Sequence, residues 1–162
     1  MTFTSGPVTH PLMSGSLVYR ANDYSFDVEP KSGGGFTSLL LNDLNLEMDE
    51  EARIVSVWGY CFHGRWKPRY LLPPPFEKGE VRFDASIELV PGVSIRINKD
   101  AWPVFVNSPS GWVCIDSGVP PQRTIEVMNG VLVALASDRR LVSLWLKPKA
   151  LPPLTATAPA SS

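Results

Sequence analysis

Histidine and cysteine are scarce in this chain: two of each in 162 residues, His10 and His63, Cys61 and Cys114. A structural zinc site draws about four ligands from these residue types at short spacing. Only Cys61 and His63 stand close together, so no metal centre is expected. Charge of one sign is also lacking, with 15 Lys and Arg against 16 Asp and Glu. Phosphate neutralisation needs a basic excess, so nucleic acid is not an expected partner. Long hydrophobic runs are missing as well. The longest charge-free, largely apolar run, residues 101–115, is broken by Pro103, Asn107 and Pro109. It falls short of the roughly 18–20 residues of a membrane span. No charged segment followed by an apolar one opens the sequence. These absences lead us to expect a cytoplasmic protein with no membrane partner and both thiols reduced and buried.

Cofactor signatures are missing too. Gly33-Gly34-Gly35 runs into Phe36-Thr37-Ser38 without the Gly-Lys-Ser/Thr of a phosphate loop, and reads as a connection. There is no dinucleotide glycine fingerprint and no Gly-x-Ser-x-Gly elbow. We therefore expect no cofactor.

Turn formers are plentiful, with 12 Gly and 16 Pro, and they work against long helices. Between them the hydrophobic period is two. Leu39 and Leu41, then Leu44, Leu46 and Met48, then Val93, Ile95 and Ile97, then Val131, Val133 and Leu135 alternate with their neighbours. Strands are predicted near 16–21, 24–29, 36–48, 52–62, 79–84, 86–90, 93–98, 103–107, 111–116, 123–136 and 139–146. The expectation is an all-β fold, an antiparallel barrel or a two-sheet sandwich of about 8–10 strands. Residues 16–149 form the single domain. Residues 1–15 read as a flexible arm and 150–162, built from Pro, Ala, Thr and Ser, as a disordered tail.

One string occurs twice. Arg53-Ile54-Val55-Ser56-Val57-Trp58 matches Arg140-Leu141-Val142-Ser143-Leu144-Trp145, 87 residues on, with four identities in six positions. Upstream, Leu44, Leu46 and Met48 fall on Val131, Val133 and Leu135. Each copy reads as a β-hairpin with a charged turn and a Trp on its returning strand. Convergence of two amphipathic hairpins accounts for the match, and duplication of a hairpin unit is the alternative.

Chemistry concentrates between Trp58 and Tyr70, where five aromatics and three cations occur with no acid between Glu51 and Glu77. In an extended segment Arg65 and Lys67 share a face opposite Trp66. The favoured reading is a cavity lined by Trp58, Tyr60, Trp66 and Trp145. Arg65 and Lys67 stand at its mouth for the anionic group of a small apolar or aromatic molecule. A second reading makes the same cavity a cofactor-independent cyclase or isomerase, with Tyr60, His63, Asp43 or Glu29 assisting proton movement. Cys61 and His63 lie two apart, too far on a regular strand for a direct thiol–imidazole bond. A third reading is a protein-interaction or toxin-neutralising module in which the acidic stretch Asp43–Glu51 meets a basic protein partner. An exposed edge strand would allow a homodimer.

Overall fold

The computed structural model describes residues 1–30, 35–86 and 88–154. Its elements follow the short apolar alternations. They are β1 (Phe3–Gly6), β2 (Ser16–Arg20), β3 (Ser25–Glu29), β4 (Thr37–Leu41), β5 (Leu44–Met48) and β6 (Ile54–Tyr60). A single 3-10 turn at His63–Arg65 precedes β7 (Lys67–Pro68), β8 (Glu77–Lys78), β9 (Glu80–Phe83) and β10 (Ile95–Arg96). The last five are β11 (Val104–Asn107), β12 (Trp112–Asp116), β13 (Arg123–Met128), β14 (Val131–Leu135) and β15 (Leu141–Leu146). Among the described residues there is no α-helix and no sheet closes into a barrel. The architecture is a β-sandwich. A six-stranded sheet, β10-β4-β5-β6-β3-β2, faces a seven-stranded one, β7-β11-β12-β15-β14-β13-β8, and β1 pairs with β9 beside them.

Several expectations need adjustment. Residues 36–48 form not one strand but a hairpin, turning at Asn42, whose φ of 53° is tolerated because Asn reaches the left-handed region cheaply. The described residues of 86–90 form no strand. There Val93 N–H bonds Val90 O and Gly92 N–H bonds Phe36 O, a turn made possible by Gly92 at φ 75°. The 1–15 segment contributes β1, because Phe3 buries its ring against Phe83. Gly33, Gly34 and the end of the 150–162 tail from residue 155 lie outside the described residues.

One core joins the sheets. Inward side chains of β4, β5 and β6 (Leu39, Leu41, Leu44, Leu46, Met48, Val57) pack with those of β12, β14 and β15 (Val113, Ile115, Val131, Val133, Leu144, Leu146). Each such side chain removed from water contributes about 1.5–3 kcal/mol, so the period of two that produces these faces is what drives the sheets together.

The internal echo extends far beyond a hairpin. In β5–β6 the partners are Leu44–Gly59, Asn45–Trp58, Leu46–Val57, Glu47–Ser56 and Met48–Ile54. The partners in β14–β15 all lie 87 residues further on, down to the irregularity after Glu47 and Ala134. The same shift carries Leu17–Val28, Val18–Asp27, Tyr19–Phe26 and Arg20–Ser25 of β2–β3 onto the pairs of β11–β12. It carries Phe26–Gly59 onto Val113–Leu146. Left-handed residues coincide too, Tyr24 with Gly111 and Ala52 with Arg139. The sandwich is therefore one five-stranded unit used twice, β2–β6 and β11–β15. The halves differ in the pairing of β13 with β14, which an irregularity between Glu126 and Met128 shifts by one residue relative to β4–β5, and in one further ladder. Between β3 and β6 it ends at Phe26–Gly59, whereas between β12 and β15 it continues through Cys114–Trp145, Ile115–Leu144 and Asp116–Ser143.

The chain between the units wraps the second one. β7 pairs with β11 at one edge of the seven-stranded sheet and β8 with β13 at the other, so residues 69–76 must pass from edge to edge. Seven strands span about 29 Å at roughly 4.8 Å spacing. The steps from Pro68 to Glu77 span about 28 Å at the 3.1 Å rise of polyproline II. Only an extended segment reaches, and Pro73-Pro74-Pro75 supplies one. It lies on the outer face, where Leu71 packs on Trp112, Cys114, Leu132 and Trp145. Asn107 Nδ2 donates to Leu71 O at 2.6 Å, and the Arg69 guanidinium sits 3.7 Å over the Phe105 ring. The proline run is thus a strap rather than a lid or a free spacer.

A second linker contact is a paired-amide lock. Buried Asn98 donates through Nδ2 to Asn42 Oδ1 at 2.7 Å and accepts from the Asn42 backbone N–H at 3.0 Å. Asn42 Oδ1 also accepts from Trp102 N–H at 2.9 Å. Asn98→Ala leaves the Asn42 donor unanswered and is expected to lower stability by about 1–3 kcal/mol. The check is the urea midpoint at unchanged m-value; an unchanged midpoint would mean water replaces the lock fully.

Candidate functional site

The six-stranded sheet has no strap over the Trp58 side of its outer face among the described residues. Successive residues of a strand alternate faces, so Ser56, Trp58 and Tyr60 of β6 point away from a core that holds Val57. On β3, Asp27 points out while Phe26 and Val28 point in; on β5, Asn45 and Glu47 point out. Of these, Asp27, Glu47, Ser56, Trp58 and Tyr60 floor an open groove of about 1390 Å³. Pro11–Ser14 of the arm form one wall, and Gly35, Phe36 and Pro91 form another.

Trp58 and Tyr60 are 45% and 48% exposed, an unusual placement for large rings. Trp58 is held in place by its indole N–H, which donates to Glu47 Oε2, while Glu47 Oε1 accepts from the Gly35 N–H. The Tyr60 ring lies edge-on to Tyr24 at 6.3 Å. Gly59, between them, has φ 131°, and a Cβ there would stand 2.8 Å from Asp43 O. Glycine is thus required for β6 to pass the β4–β5 turn and present both rings. The electrostatics are one-sided. Among the described residues, Asp27, Glu47, Asp49, Glu50 and Glu51 line the groove together with Arg53; Arg20 pairs with Asp27, Arg53 with Asp49 and Glu51, and Arg82 with Glu51.

Arg53 also builds the wall. Its Nε donates to Asp49 Oδ2 at 2.7 Å, an Nη atom donates to His10 Nδ1, and the same Nη lies 3.5 Å from Glu80 Oε1. Glu80 accepts from the Thr9 backbone N–H and hydroxyl, both at 2.6 Å, and from the His10 N–H at 3.2 Å. Burial alone would raise the Glu80 pKa, but the bonds from Thr9, with Arg53 and Arg82 beside it, hold the carboxyl below its usual range. The latch fixes residues 9–10 and hence the 11–14 wall.

The groove brings together Trp58 and Tyr60 and leaves the other sequence-predicted residues elsewhere. Trp66 is buried, stacked 5.8 Å from Phe26, and donates to Cys61 Sγ at 3.4 Å. Trp145 occupies the position equivalent to Trp58 but on the opposite sheet, under the strap. Arg65 and Lys67 are exposed beside the seven-stranded sheet and do not line the groove, so they do not form a cationic mouth to it. His63 points Nδ1 at the Tyr19 hydroxyl, 3.1 Å away; that hydroxyl donates to Cys61 O at 2.6 Å and accepts from the His63 N–H. Asp43 is exposed in the β4–β5 turn, and Glu29 is paired with Arg20 at the end of β3. Cys61 and Cys114 are buried. Desolvation pushes the Cys61 thiol up to about 11 and Cys114 higher still.

The residues that sequence reasoning missed are Arg53, Thr9 and Glu80. The acidic stretch was visible, but its meeting with an N-terminal arm and with Glu80 depends on chain partners 70 residues apart.

Two outcomes follow. The Glu80 pKa is depressed on folding, so its stabilisation is complete above the unfolded value of about 4.3 and is lost as pH falls through the lower folded value. The Thr9 and His10 amide resonances should move to random-coil positions on acidification below about pH 4. Glu80→Gln should show the same release at neutral pH, and native-like shifts in that variant would refute the latch. Both thiols should resist a disulfide reagent at pH 7.5 in the native protein and react fully in denaturant, since the thiolate is the nucleophile. Rapid native labelling of Cys61 would contradict its placement.

No protein-family model matches the chain, and no curated protein matches it in sequence.

Proposed function

We propose that the protein is a binding module whose working surface is the groove on the outer face of the six-stranded sheet, and that its ligand carries positive charge. The observation that supports this reading is the pair of exposed rings, Trp58 and Tyr60, set among five carboxylates. Exposed aromatics fixed by a hydrogen bond offer apolar contact area at little entropic cost. Carboxylates around them steer a cation in and orient it. The volume exceeds the usual 300–1,000 Å³ of a small-molecule site, and the groove is open along its length, which favours a peptide segment of a partner protein over an enclosed molecule. Of the three readings of the sequence, the interaction module is the one this surface supports. Binding without turnover agrees with two buried, protonated thiols and a His63 engaged by Tyr19.

Quenching of tryptophan emission tests the surface. Trp66, Trp112 and Trp145 are buried and Trp102 is partly buried, so quenching should come chiefly from Trp58. Caesium should quench more strongly than iodide at low salt, with the difference shrinking as the Debye length falls to about 8 Å at physiological ionic strength. Trp58→Phe should remove most of the caesium effect. A basic aromatic peptide, lysyl-tyrosyl-lysinamide, should shift the Trp58 indole resonance at low salt and lose its effect at high salt. Absence of any shift at millimolar peptide would sink the reading.

A further inference from the structure

The two outer faces of the sandwich are equivalent by the 87-residue repeat, and one of them already carries an occupant. Across the seven-stranded sheet, Phe105, Cys114, Trp145 and Leu132 form one row, and the strap of residues 69–76 lies over it. The matching row of the six-stranded sheet is Val18, Asp27, Trp58 and Asn45. Trp is kept at the centre of both. Around it the first unit exchanges cysteine for aspartate and leucine for asparagine, and Glu47 stands where the second unit has Ala134. The strapped face holds its proline-rich segment permanently through apolar contact. The open face keeps the aromatic platform but surrounds it with carboxylates.

From this equivalence we infer that the groove receives an extended, proline-rich segment of a partner protein, bearing Lys or Arg. The inference rests on the reading of the groove as a binding surface and specifies the ligand's class. Two independent features carry it. The first is shape. This fold covers a Trp-centred outer face with a near-fully extended chain, using Leu71 on the tryptophans and Asn107 on a strap carbonyl. A polyproline II segment presents such carbonyls unbonded and loses little entropy on docking against aromatic rings. The second is charge. With the ion pairs of Arg20, Arg53 and Arg82 counted, the described residues around the groove still hold more carboxylates than guanidiniums, an excess that favours cations in the ligand. The strap itself enters its face through Arg69 over Phe105. A reversible, salt-sensitive ligand suits a polar face, whereas the occupant of the apolar face is a covalent part of the chain.

The chain supplies the probe. A synthetic amidated peptide with the sequence of residues 67–76, Lys-Pro-Arg-Tyr-Leu-Leu-Pro-Pro-Pro-Phe, carries two cations and four prolines. It is titrated into the isotopically labelled full-length protein alongside the same peptide with alanine at all four prolines. The Trp58 and Trp145 indole N–H resonances are followed separately. The expected result is a shift of Trp58 with Trp145 unmoved, and affinity about tenfold tighter for the proline peptide because its chain is pre-extended. Trp58→Ala should weaken binding by at least about tenfold, as removal of a central aromatic anchor does. Tyr60→Ala provides a second variant at an exposed site should the first perturb folding. If both peptides bind at Trp58 with equal affinity, the groove is a binding surface but the preference for proline is overturned. If neither moves Trp58 while the short basic peptide does, the proline-rich class is overturned and the groove stands. If no peptide moves it, both readings fall. A shift of Trp145 alone would mean that the probe competes with the strap, and would also overturn the proposal.

Discussion

A five-stranded antiparallel sheet with one apolar face cannot stand alone in water, and the rest of this molecule follows from how that face is covered. The chain makes the unit twice and turns the two apolar faces toward each other. Because side chains alternate along a strand, this single act fixes which residues point outward. It sends Trp58 and Trp145 to opposite surfaces of the sandwich, about as far apart as the layers permit. Both are outward residues of equivalent strands, and a face-to-face sandwich has no common cavity for them.

What separates the two outer faces is then a matter of which chain segment passes over them. Cys114, Leu132 and Trp112 make the second face too apolar to leave exposed, and the linker covers it. Covering has a local cost: the Trp145 indole N–H is buried with no partner. At about 1–3 kcal/mol for an unanswered buried donor, this is tolerable only beside the larger gain from the surrounding apolar contact. Trp58 avoids that cost because Glu47 answers its N–H at an exposed position. One tryptophan is structural and the other is available, although the six residues that end in each are nearly the same.

The all-β class, the alternating core positions and the repeat were all legible in residue order. They depend on local periodicity, and periodicity is a property of neighbours. Leu44, Leu46 and Met48 announce both a strand and its buried face, and Arg53–Trp58 against Arg140–Trp145 announces the symmetry. Less could be read about the candidate site. Trp58 and Tyr60 stood out as aromatics, yet nothing local distinguishes Trp58 from Trp145 or Trp66. The difference lies in the strap, and its path is set by β7 and β8 at distant edges. Likewise Arg65 and Lys67 looked like the cationic mouth of the Trp58 site because they follow it in sequence. The 3-10 turn at His63–Arg65 redirects the chain to the other sheet, and the groove is left with the acids of the preceding hairpin turn.

The strap has a consequence for how the protein behaves in a crowded solution. Sheets grow by adding strands at a free edge, and a long flat edge recruits other chains. Here the segment that crosses the seven-stranded sheet begins and ends as its two outermost strands, each two residues long, and one of them finishes at Pro68, which has no amide hydrogen to offer. The other sheet is bordered at β4 by a strand of the same length, Ile95–Arg96. Three of the four outer edges of the two large sheets are thereby strands of only two residues, β2 being the fourth, and the linker that orders the surface also shortens the β-template offered at the edges.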